Sequence, residues 1–278
     1  MAVDLSDGGE AAVRAYGVGF LALGMAGEPL ASSSAGSGTL VDFFGVKGIL
    51  TAAHVARALL SRKEFGILRF GGGWLQALKA TCTASDVVML GGEDAGEKGP
   101  DIAFIRISPD LEATLLATNA FYSPVARGRA FLQGGPRGGG HVLFATGVVG
   151  EASKALTAEG NRERTEHTSI MGVGNIVGHD MGEGGNGSFL FKIIHGDGFP
   201  SPSSYGGMSG GGVWQLKSGD GVLNRTLIGV VFRETEADAN GERSIICNGP
   251  AIIYDVMVLT VLDRFSPDLA AAYRAAEN

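Results

Sequence analysis

The sequence predicts an all-β fold closed by a C-terminal helix, and three observations predict it. Glycine is the first: 46 of 278 residues, in a chain that is 45% hydrophobic and only 18% charged, a balance that suits short strands and tight turns better than a helical bundle. The second is a succession of short apolar, partly β-branched runs with glycine at their ends. The third is that helical periodicity is confined to two places.

In chain order, the runs GSGTLVDF (36–43), GVKGILTAAHV (45–55) and FGILRF (65–70) are glycine-bounded and apolar, and DIAFIRI (101–107) alternates as a half-buried strand does. The same character returns in GHVLFATGVV (140–149), GSFLFKII (187–194), GGGVWQL (210–216) and RTLIGVVF (225–232). Between the two sets, QGGPRGGG (133–140) reads as an exposed loop. The helical stretches are HVARALLSRKE (54–64) and DLAAAYRAAEN (268–278), the latter Ala-rich and opened by Ser266, Pro267 and Asp268.

The length allows one large domain or two smaller ones, each with a substantial core. A net charge of −7 and a pI near 5.3, with lysines and arginines scattered, exclude the clustered basic footprint that nucleic acid requires. Cys82 and Cys247 are too few and too far apart for a disulfide framework, so free buried thiols are expected. The acidic N-terminal stretch lacks the basic segment of a secretory signal. The most apolar late run, AIIYDVMVLTVL (251–262), falls short of the ~20 residues of a membrane span and contains Asp255. These features lead to the expectation of a cytoplasmic protein with no membrane or nucleic-acid partner.

GMSGG (207–211) fits G-x-S-x-G, the nucleophile elbow of α/β-hydrolases, where a histidine follows the serine. All five histidines precede Ser209, so that reading fails on chain order. The reverse order, His then Asp then Ser, has local sense. His54 follows an apolar strand and two small residues, Ala52 and Ala53, which clear space for an imidazole. Asp101 heads the alternating strand 101–107, although Asp86 in SDVVML (85–90) offers a similar strand head. Ser209 sits among glycines, and the amides of Gly207 and Ser209 can converge on one point, where an oxyanion would be held. His141, His167, His179 and His195 lie in polar or Gly-rich sequence and read as surface or loop residues. The glycine runs at 71–74 and 134–140 lack the Gly-Lys-Ser/Thr ending of a phosphate loop and read as turns.

Together the three motifs resemble those of the chymotrypsin-like (trypsin-like) serine proteases, with 36–43 and 49–55 as the early strand pair and spacings of 47 and 108 residues between His54, Asp101 and Ser209. The resemblance covers residues 36–265 and is vague from 110 to 195. It implies two six-stranded antiparallel β-barrels and a C-terminal helix. Residues 1–35 would then be an N-terminal extension, 36–120 the first barrel with His54 and Asp101, 121–262 the second with Ser209, and 263–278 the helix. It also implies a serine endopeptidase acting on a protein or peptide substrate through an acyl-enzyme. Ser209 would be the nucleophile, His54 the general base and acid, Asp101 the orienting acid, Gly207 and Ser209 the oxyanion hole, and Phe232 part of the strand lining the cleft. No metal or organic cofactor has a role.

Three departures from the family pattern carry their own expectations. Secreted members place an Asp before the serine to pair with a new N-terminus; here it is Met208, which cannot accept that charge, so the chain would be competent from synthesis or ordered by a protein activator. Six residues ahead of the serine, where an acid selects Arg or Lys, stands Ser203, which argues for a small or apolar preference, with Asp197 and Glu234 near enough to disturb it. The 69 residues after Ser209 leave no room for a PDZ domain of the kind that high-temperature-requirement proteases append. Two other classes share the residues: a protease fold that has lost activity and serves as a binding module, and an esterase using the same triad.

Overall fold

The computed structural model describes residues 5–23, 33–62, 64–70, 77–91, 100–124, 141–159, 162–180, 187–195, 201–219 and 222–275. The fold is mostly β, as the sequence predicts: a closed six-stranded barrel, a second antiparallel sheet with seven strands where six were expected, and helices at the C-terminal end. The glycine runs 71–74 and 134–140, and Asp197, lie outside the described residues.

The first unit has the strand order β5-β4-β1-β2-β3-β7-β6, with β1 Gly17–Ala22, β2 Ser33–Phe43, β3 Val46–Thr51, β4 Phe65–Arg69, β5 Leu78–Ala80, β6 Val87–Leu90 and β7 Ile102–Arg106. The strand β1 falls inside the stretch expected as an extension. It pairs with both β2 and β4, and every one of its residues is buried. A strand buried on both faces needs no polar alternation, so GVGFLA carries no period-2 signal. A helix precedes it, α1 (Leu5–Arg14), α2 (Ala53–Leu60) follows β3 directly, and α3 (Pro109–Leu116), capped by Ser108, follows β7; α1 and α3 lie outside the two stretches expected to be helical.

The second unit closes in the order β10-β13-β12-β11-β8-β9, from β8 His141–Glu159, β9 Arg162–Asp180, β10 Ser188–Ile193, β11 Gly212–Gly219, β12 Val222–Glu234 and β13 Ile245–Asn248. Both β8 and β9 run 19 residues. β11 pairs with β8 only from His141 to Ala145, and β10 with β9 only from Gly174 to Asp180. Beyond those residues the two strands pair with each other out to Glu159 and Arg162, forming a hairpin arm in the stretch where the family resemblance is vague.

One core spans the seam. Trp214 of the barrel is fully buried, stacked on Tyr16 at 5.2 Å and met edge-on by Tyr122 at 5.1 Å. Phe43 and Phe104 of the sheet and Phe144 and Leu227 of the barrel belong to the same cluster. Each such side chain contributes about 1.5–3 kcal/mol on burial, so separating the two units would expose the largest rings of the molecule.

The C-terminal helical region begins about a dozen residues before the expected 263. A wide π-type turn (Ile252–Met257) leads into α4 (Val258–Phe265) and α5 (Pro267–Ala275). The apolar run 251–262 is apolar because it packs into the shared core through Ile253, Met257, Val261 and Leu262, with Asp255 exposed. No described helix is long and apolar enough to cross a membrane.

Candidate active site

His54 is the second residue of α2, Asp101 the residue before β7, and Ser209 lies in the turn leading into β11. The helix α2 starts after Ala52 with no side-chain cap from its own sequence. The Asp101 carboxylate supplies one from across the sheet: Oδ1 accepts the His54 amide at 3.0 Å and Oδ2 pairs with His54 Nδ1 at 2.7 Å, and the Ala53 amide also donates to it. Ala52 and Ala53 therefore matter less as cleared space than as an uncapped helix end that a distant carboxylate can reach.

Burial pushes the Asp101 carboxyl up, but the hydrogen bond and charge of His54, with the two helix amides, outweigh it and hold the group below the usual carboxylate range. A charged Asp101 makes Nδ1 the donor and leaves Nε2 as the basic nitrogen of a neutral imidazole. The competing Asp86 is bound elsewhere: it caps its own turn through Thr83 and pairs with Arg106 at 2.9 Å.

The serine turn is shaped by what crowds it. Gly207 and Gly210 have φ of +97° and +94°, which L side chains rarely adopt. A Cβ on Gly210 would lie 1.9 Å from the Ser37 carbonyl, and one on Gly211 1.9 Å from that of Thr146. The two glycines following the serine are thus needed where the turn is wedged between the sheet and β8. Ser37 is fully buried and every polar group it has is used. Its amide donates to Ser209 O and its hydroxyl to Gly207 O, both at 2.7 Å; the hydroxyl accepts the Val148 amide at 2.8 Å, and Ser37 O accepts Thr51 Oγ1 at 2.7 Å. Thr39 and Thr146 add bonds to the carbonyls of Gly210 and Gly212. Five of the seven buried polar residues described, Ser37, Thr39, Thr51, Thr146 and Asn248, serve this turn or Asp101, so the desolvation cost of buried polar groups is concentrated here.

Met208 is fully buried, in the barrel cluster that includes Tyr205 and Val213, and lies against Gly147. Among the described residues, neither the Gly207 nor the Ser209 amide donates a hydrogen bond. The Ser209 hydroxyl donates to Phe232 O at 3.3 Å and makes no hydrogen bond with His54. The structure therefore brings His54 and Asp101 together and leaves the Ser209 hydroxyl engaged with Phe232.

Ser203 is exposed, and its amide and hydroxyl are both held by the Glu151 carboxylate, the amide at 2.8 Å. Next along the chain, Glu234 accepts Ser204 Oγ at 2.9 Å and the Tyr205 amide, with Arg243 3.8 Å away. Two carboxylates thus hold the segment before the serine. Glu151 lies at the base of the hairpin arm, 52 residues from Ser203, and no local pattern announces it. Of the other histidines, His195 stacks on Tyr205 and shares a 2.7 Å hydrogen bond with its hydroxyl, whereas His141, His167 and His179 lie on the strands of the hairpin.

No protein-family profile matches the sequence, and no curated protein matches it. Among solved structures the chain is similar to neuropsin, a serine protease expressed in the limbic system of mouse brain, at 13% identity and a TM-score of 0.46, over 89% of this chain and 95% of that one. A likeness of that size carries no weight for activity.

Proposed function

We propose that this chain is a serine endopeptidase working through His54, Asp101 and Ser209. The observation that carries the reading is the His54 Nδ1 to Asp101 Oδ2 bond of 2.7 Å, made by a carboxylate held in its charged form, beside a serine turn with two uncommitted amides. In the mechanism, the Ser209 hydroxyl leaves Phe232 O and gives its proton to His54 Nε2 as Oγ attacks the peptide carbonyl. Asp101 keeps the Nδ1–H tautomer and stabilises the imidazolium. The Gly207 and Ser209 amides receive the developing oxyanion, at about 3–4 kcal/mol per donor in sites of this kind. The imidazolium then protonates the leaving amine, and water, activated by the same ring, releases the acid and restores Ser209.

We read the side-chain preference as small or apolar: both carboxylates beside the 203–205 segment are engaged by that segment's own donors, and Glu234 also faces Arg243. The buried Met208 supports a chain competent without an N-terminal ion pair, since the site an aspartate would fill is part of the apolar barrel core. Cleavage-site profiling of a peptide library tests the whole reading: wild type should cut after small or apolar residues, and Ser209→Ala should not cut. Cleavage confined to Arg or Lys would overturn the preference, and equal cleavage by both proteins would overturn the reading.

One observation favours a second reading, a protease fold kept as a binding module. The hydroxyl bonded to Phe232 O would then be in its working position rather than a resting one. Binding of a peptide without turnover, unaffected by Ser209→Ala, would support that alternative.

A further inference from the structure

We propose that Asn248 is the positioning residue of Asp101, a tie from the barrel that fixes where the carboxylate meets His54. The inference rests on reading Asp101 as the acid of the triad. The ladder around β7 stops at Ile102: β3 pairs with β7 no further than Ala103, and β6 no further than Ile102. The Asp101 peptide groups therefore have no strand partner, and the Asn248 side chain takes that place. Its Oδ1 accepts the Asp101 amide at 3.3 Å and its Nδ2 donates to the Asp101 carbonyl at 3.0 Å.

This two-point pairing fixes the orientation of the carboxamide, because only the oxygen can face the N–H and only the nitrogen the C=O. Aspartate there would set a carboxylate against the carbonyl, and leucine would leave both peptide groups unpaired. Asn248 is itself immobilised: it is 1% exposed and in register with Ser188 of β10 on one side and Val230 of β12 on the other. The barrel, which carries Ser209, thereby also sets the position of the acid on the sheet. Among the described residues, His54 is the one titratable group whose charge acts on Asp101, so a change in this pair is read directly on the imidazole.

The test compares Ser209→Ala with the double variant Ser209→Ala/Asn248→Ala, following the His54 Nδ1 proton by NMR, a readout that needs no catalysis. Losing the tie loosens the His54–Asp101 hydrogen bond, and the downfield Nδ1–H resonance should move upfield and exchange faster with water. In the chain with Ser209 intact, Asn248→Ala should lower kcat by about tenfold, with KM little changed. Asn248→Ser, whose shorter hydroxyl can reach the Asp101 peptide only through a bridging water, should give an intermediate displacement and stands in if the alanine variant does not fold. A loss of thermal stability with the His54 Nδ1–H resonance unmoved would overturn the inference and leave Asn248 a packing residue. If the wild type hydrolyses nothing, the protease reading fails, while the NMR comparison still decides what Asn248 does to the His54–Asp101 pair.

Discussion

The two sides of the seam reach the site in different states. From the sheet come a charged carboxylate, Asp101, and the His54 imidazole it is bonded to at 2.7 Å, anchored at a helix end. From the barrel comes a neutral hydroxyl, held 3.3 Å from Phe232 O, in a turn fixed mainly through its backbone. The difference shows where pre-organisation resides. On the sheet side it lies in side-chain charge, and on the barrel side in glycine conformation and in buried hydroxyls, most of them reaching across from β2 of the sheet, that hold the turn's carbonyls in place. The proposed mechanism adds one bond between them, from the Ser209 hydroxyl to His54.

The comparison predicts unequal responses to substitution. Ser209→Ala should have the largest effect, lowering hydrolysis by about 10⁶-fold, with thermal stability nearly unchanged because the hydroxyl makes a single long bond; progress curves and a melting scan check both parts. Asp101→Asn should cost about 10⁴-fold relative to wild type, since an amide favours the wrong tautomer, leaving the Ser209 variant as the floor. Ser37→Ala should act on the other side: it strips a donor from Gly207 O and an acceptor from the Val148 amide. Stability should drop by about 1–3 kcal/mol, and kcat should fall without a shift in the pH profile. A pH shift in Ser37→Ala equal to that in Asp101→Asn would erase the division between the two sides.

Stability against pH separates them more gently. The folded-state pKa of Asp101 is held below its ordinary value, so between the two values the unfolded chain binds more protons, and stability rises with pH there. The contribution is fully present above the ordinary carboxylate pKa of about 3.9 and is lost as pH falls through the lower folded value. Asp101→Asn should therefore flatten the stability profile below about pH 4, as measured by denaturant midpoints, whereas Ser209→Ala should leave its shape intact. The smallest effect is expected from Glu234→Gln, which keeps an acceptor for Ser204 and Tyr205 but removes the charge beside Arg243. KM should change by no more than a few-fold, while kcat stays near that of wild type.

What was legible in the sequence follows the range of each interaction. His54, Asp101 and Ser209 stand out because each sits in a local pattern: a strand end with small residues, a strand head, a glycine turn. The strand runs were legible for the same reason, as short apolar segments with glycine punctuation. Glu151 and Asn248 act across 52 and 147 residues, and no periodicity connects them to their partners. A signal for Asn248 did exist, a polar residue closing the apolar run IIC before Gly-Pro, but it indicates only that something must satisfy the amide, not what. The strand β1 escaped because burial on both faces erases alternation. The apolar run 251–262 belongs to a helix in the seam because its partners are the rings of both units, which no single segment reveals.

The central claim is that Ser209 is a nucleophile activated by His54. Its most direct measurement is reaction of the native protein with a fluorophosphonate probe, followed by mapping of the adduct by mass spectrometry. The account predicts one adduct, on Ser209, formed with a rate that rises as His54 loses its proton and absent after unfolding or in His54→Ala. No adduct in the native protein, or one on another residue at an equal rate in Ser209→Ala, would contradict it.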